Sequence, residues 1–118
     1  MVHALLVSTD GNVKMVQYEG YLGMKALLNG GYIESVRFGC ACFAMCDEDG
    51  KQKGLPRNEK ATMLAQLVNT PLASHDYFVG PVLIVGPVNQ YGDETDIPPE
   101  MLLTISRILS VNPVDVEK

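Results

Sequence analysis

Two hydrophobic periods alternate along this chain, and the switches between them mark its elements. Ala4–Ser8 and Val13–Tyr18 are rich in β-formers, and Thr9-Asp10-Gly11-Asn12 between them supplies residues that tolerate a hairpin turn. Tyr21–Leu28 breaks the alternation and reads as a short helix that Asn29-Gly30-Gly31 would stop. Tyr32–Phe38 returns to period two, with Tyr32, Glu34, Val36 and Phe38 on one face. Residues 40–46 are apolar on both faces, as in a strand covered on both sides, and Asp47-Glu48-Asp49-Gly50 follows as a turn.

The second half repeats the punctuation. Asn58 is placed to cap a helix whose stripe is Ala61, Leu64, Ala65, Leu67 and Val68, with Asn69-Thr70-Pro71 closing it. Tyr77–Gly86 is the strongest strand signal, although Pro81 cannot donate to a ladder and predicts an edge or a bulge there. Pro98-Pro99-Glu100 opens a terminal helix with Met101, Leu102, Ile105, Ile108 and Leu109 on one stripe, ended by Asn112-Pro113 and followed by a frayed tail at 114–118. The order is ββαββαβα. It predicts one α+β domain over 1–118, a five-stranded, mainly antiparallel sheet with hairpin signals at Asp10-Gly11 and Asp49-Gly50, and helices on one face.

Composition narrows the function. The 118 residues are 47% hydrophobic and 19% charged, the balance of a folded globule. That much apolar surface on so short a chain predicts a homodimer. Nine basic residues against fourteen acidic ones leave a net charge of −5, which argues against duplex DNA binding. No apolar run is long enough to span a membrane, and the start lacks the basic region of a signal peptide. Three cysteines, an odd number, fit poorly with a disulfide framework, so the expectation is a reduced, cytoplasmic protein.

Most of the chemistry suggested by individual residues dissolves on inspection. Cys40, Cys42 and Cys46 would share one strand face, but structural zinc wants four ligands and no fourth is in reach, so free, buried thiols are expected. Ser74-His75-Asp76 spells a triad, yet adjacent residues point apart where a triad must converge, and His3 is far along the chain. Asp93, Glu94, Asp96 and Glu100 do not follow the spacing of a calcium loop. No catalytic residue, metal site or cofactor is expected.

One cluster stands out. Lys51, Lys53, Arg57 and Lys60 are four of the nine basic residues, and they fall within ten positions. They surround Gly54-Leu55-Pro56-Arg57-Asn58 at a helix start, whose free N–H groups and positive dipole end suit an anion. The same residues also suit a well-capped loop whose lysines balance Asp47, Glu48 and Asp49. If a ligand binds here, Gly54, Arg57, Asn58 and Lys60 would hold it, and Tyr32 would offer a stacking face.

Four stretches occur in a fixed order: Gly30-Gly31-Tyr32-Ile33-Glu34; Lys53-Gly54-Leu55-Pro56-Arg57-Asn58 with Ala61-Thr62; Val79-Gly80-Pro81-Val82-Leu83-Ile84-Val85-Gly86; and Asp96-Ile97-Pro98-Pro99-Glu100. Together they resemble the small phage and mobile-element family catalogued as domain of unknown function 3846, over residues 4–105. The cysteine-rich stretch Gly39–Cys46 departs from the family pattern. The resemblance implies a protein encoded by phages, plasmids or their hosts, sometimes near antirestriction genes, with an accessory role during infection and no enzymatic activity. Two functions follow as expectations. One is a non-enzymatic binding module for a small anionic ligand, such as a nucleotide-derived defence signal that it would sequester. The other is a factor that docks on a host enzyme and inhibits it, using the strand at Pro81.

Overall fold

The computed structural model describes residues 1–28, 30–39, 41–68 and 76–111. Within them the elements run β1 (Val2–Val7), β2 (Val13–Tyr18), α1 (Gly20–Leu27), β3 (Ile33–Phe38), β4 (Cys42–Asp47), α2 (Glu59–Leu67), β5 (Val82–Val85) and α3 (Pro99–Val111). The order ββαββαβα is the expected one. Cys40, Ser74, His75, the helix stops at Asn29, Asn69-Thr70-Pro71 and Asn112-Pro113, and the tail 114–118 lie outside the described residues.

All five strands form one antiparallel sheet in the order β2-β1-β5-β4-β3. The first hairpin closes where the sequence places it: Ser8 N–H donates to Asn12 O, Gly11 N–H to Ser8 O, and Gly11 takes φ +91°. The second hairpin joins Phe38 to Cys42, with Gly39 at φ +70°, and does not turn at Asp49-Gly50, which begins the long loop toward α2. From edge strand β2 the chain crosses the whole sheet through α1 to reach the opposite edge, β3.

The sheet is covered on both faces, so the expectation of helices on one face is corrected. Leu5, Val7, Ala44, Cys42, Cys46, Val82 and Ile84 point to the side where α2 places Ala61, Leu64 and Ala65 and α3 places Ile105. Ala4, Leu6, Met45, Leu83 and Val85 point to the other side, under Met24 and Leu28 of α1. Alternate residues of a strand serve opposite faces. An apolar run such as Val82–Val85 therefore needs cover above and below, and each of its four side chains is fully buried.

Pro81 is a second correction. The strand begins after it, at Val82, and pairs on both sides, with β1 and with β4. β5 is the centre of the sheet, and the outer strands are β2 and β3. Proline can stand at the entry of a central strand because no ladder donor is required there.

Candidate functional site

The basic loop between β4 and α2 folds back on itself, and its charges are met from within the chain. Lys53 Nζ lies 2.7 Å from Asp47 Oδ2, whose side chain is 2% exposed. Asp47 Oδ1 accepts from Asp49 N–H at 2.9 Å. Burial alone would raise the Asp47 pKa, but the hydrogen bonds from Lys53 and Asp49 and the Lys53 charge together hold it below the usual value. Lys51 Nζ lies 2.7 Å from Asp76 Oδ1, and the hydrogen bond to that carboxylate raises the lysine's pKa. Arg57 Nε stands 3.4 Å from Glu59 Oε2. Lys51 and Arg57 also sit over the Tyr77 ring, at 4.5 and 4.0 Å from its centroid.

Asn58 does cap α2, but its side chain does much more. Its Oδ1 accepts from Ala61 N–H at 3.0 Å, and its Nδ2 donates to Val7 O at 2.9 Å and Gly80 O at 2.8 Å. Its own backbone N–H donates to Phe78 O at 2.8 Å. Thr62 extends the network, donating to Asn58 O and accepting from Phe78 N–H, both at 2.9 Å. Asn58 is 0% exposed, so none of its polar side-chain atoms remains for a phosphate. Lys60 is 4% exposed and turned into the fold. Gly54 and Arg57 stay at the surface. Tyr32 is exposed beside Lys25 of α1, not beside Arg57. The five expected ligand residues thus divide into two structural ones and three surface ones, with Tyr32 in different company from Gly54 and Arg57.

A cavity of about 120 Å³ opens next to this loop. Val36, Cys46, Phe78 and Val79 supply its apolar lining, and Glu34, Asp47, Glu48, Asp76 and Lys51 its charges. Four carboxylates against one ammonium make a poor setting for an anion. The Cys46 thiol is pushed up to about 12, first by burial and then by the charges of Glu34 and Asp47, so it stays protonated. Cys42 and Cys46 are both buried, and neither forms a disulfide. Among the described residues no group of three His, Cys, Asp or Glu side chains is arranged to hold a metal ion.

The motifs that stand out in the sequence prove to be places where backbone segments meet. A Cβ on Gly31 would come within 2.7 Å of the Asp47 carboxylate, and one on Gly86 would overlap the backbone oxygen of Asp96. Gly80, at φ +72°, donates to Pro56 O and accepts from Asn58. Ile97 N–H donates to His3 O, tying the last motif to β1. The family model described as domain of unknown function DUF3846 matches residues 2–110. The chain belongs to this family. In this member Gly31, Gly80, Gly86 and Asn58 serve the packing of the chain's own fold. No curated protein and no solved structure matches the chain. Among the described residues no helix is long and apolar enough to cross a membrane.

Proposed function

We propose that this protein is a non-enzymatic accessory factor of a phage or mobile element that docks on a host protein and alters its activity. The observation that carries the reading is the outer edge of β3, which no other described strand covers. Glu48 N–H donates to Tyr32 O in the β3–β4 register, so the even-numbered residues of β3 turn their backbone groups toward β4. Ile33 and Ser35 therefore turn theirs outward, which is the arrangement that accepts an added strand. Tyr32, 69% exposed, stands at the entry to this edge, with Tyr21 and Leu22 of α1 exposed nearby around Lys25. Tyrosines of this kind are enriched at the centre of protein interfaces.

Sequestration of a small anion has less behind it. The cations that would draw the anion are already met by carboxylates, and the neighbouring cavity is well under the roughly 300 Å³ at the small end of ligand pockets.

The test is reconstitution. A host protein captured on the wild-type chain is purified, and its activity is measured with added wild type and with Ser35→Pro, which removes an outward N–H and no bond to β4. Docking predicts an altered activity with wild type and none with the variant. A nucleotide that stabilises the chain by about 2.7 kcal/mol at a hundred times its Kd, with no β3-dependent partner, overturns the proposal.

A further inference from the structure

The cavity lies on the same face as Glu34 and Val36 of β3, so a strand added to that edge would place every second side chain beside it. Resting on the docking reading, we infer that the partner pairs with β3 through an extended segment and lays a lysine or arginine side chain in this cavity. Size comes first. A space of about 120 Å³ equals roughly four waters, enough for one long side chain and too little for a nucleotide. The lining suits a stem and a head: Val36, Phe78 and Val79 are apolar, and methylene groups pack on such a surface while the charge stays at the rim.

Charge decides the sign. Of the four carboxylates, Asp47 is held by Lys53 and Asp76 by Lys51, each at 2.7 Å. Glu34 and Glu48 carry no ion pair among the described residues and are both exposed at the mouth. Glu34 pairs with Cys46 across β3 and β4, and Glu48 follows two residues later on the same face, so the two glutamates are diagonal neighbours. Lys51 is the one ammonium in the lining and is already bound. The open mouth therefore has a surplus of two negative charges directly beside the free edge. A residue opposite Glu34 on an added strand would have its Cβ about 5 Å from that of Glu34, within reach of both carboxylates. A neutral or acidic side chain there leaves them uncompensated.

A displayed library of random octapeptides is the probe, selected on the wild-type chain at low salt. The inference expects enrichment of lysine or arginine at one position, and affinity that falls as salt rises. It expects binding about three- to thirtyfold weaker on the Glu34→Gln/Glu48→Gln double variant, as two exposed ion pairs warrant. Ser35→Pro should abolish binding. Binders lost on Ser35→Pro but with no basic preference, or indifferent to the glutamine pair, overturn the basic side chain and leave docking on β3 standing. Binders indifferent to Ser35→Pro overturn both. A concentration-dependent dimer that Ser35→Pro dissolves assigns the edge to a second copy and overturns the inference as well. The glutamine pair alters only exposed side chains, so its result stands even if Ser35→Pro fails to fold.

Discussion

Replacing Asn58 by alanine should cost far more than the loss of a helix cap. A cap alone is worth about 1 kcal/mol. Here the amide also satisfies Val7 O and Gly80 O, at 2.9 and 2.8 Å, in a position that is 0% exposed. Alanine leaves both carbonyls buried without their donor, and each such orphan costs about 1–3 kcal/mol. The sum is about 3–7 kcal/mol, a third or more of the stability of a typical domain. Urea unfolding followed by tyrosine fluorescence should show the midpoint falling by about 1.5–3.5 M, given a slope of about 2 kcal/mol per M. Asn58→Asp gives the sharper reading. It keeps the capping oxygen but turns an oxygen toward two carbonyl oxygens, so its folded-state pKa must lie above the unfolded value of about 3.9. Its deficit against wild type should be largest at neutral pH and shrink as pH falls toward 4, while that of Asn58→Ala stays flat. A loss of only about 1 kcal/mol for alanine, or a pH-independent deficit for aspartate, would falsify the claim that Asn58 joins β1, α2 and the entry to β5.

Gly86→Ala should prevent folding or cost more than about 3 kcal/mol, because its Cβ would overlap the Asp96 backbone; a soluble variant with a wild-type melting curve would contradict this. Gly31→Ala should cost about 1–3 kcal/mol by driving the Asp47 carboxylate from Lys53 and Asp49 N–H, and the loss should be much smaller in an Asp47→Asn background. Since the folded-state pKa of Asp47 is lowered, its contribution is full above about pH 4 and is lost as pH falls through the folded value. Asp47→Asn should therefore flatten the acid limb of a stability–pH curve. Cys42 and Cys46 should stay unlabelled by iodoacetamide at pH 8 in the native protein, as mapped by peptide mass, and label in urea; rapid native labelling of either would refute their burial.

Signals carried by neighbours in the chain were legible. The Asp10-Gly11 turn, the alternation through Phe38, and Asn58 as a cap all depend on contacts a few residues apart. Sheet order was not. Pro81 suggested an edge because sequence alone could not show that pairing starts one residue later, between β1 and β4. The apolar stretch at 40–46 did signal cover on both faces, but nothing local says that α1, which precedes β3, supplies one side through Met24 and Leu28 against Met45. The basic cluster misled in the same way. Its acidic counterpart Asp76 is 25 positions from Lys51, and the carbonyls that claim Asn58 are 51 and 22 positions away. Of the alternatives the residues offered, a capped loop with internally balanced lysines is the one matched by the Lys53–Asp47 pair.

The middle strand is the last of the five to be synthesised. Leu5 pairs with Ile84, so one flank waits for a segment made 79 residues later, and Ala44 meets the same Ile84 from the other side. Until that segment leaves the ribosome, β1–β2 and β3–β4 are two separate ribbons, each with one long apolar edge exposed, and isolated ribbons are marginal in water. Folding is thus a late event, slowed by closure over a long stretch of chain. Prematurely terminated chains would be open to association with any strand at hand. A single insertion completes both halves, which makes the nascent protein vulnerable and the finished one cooperative.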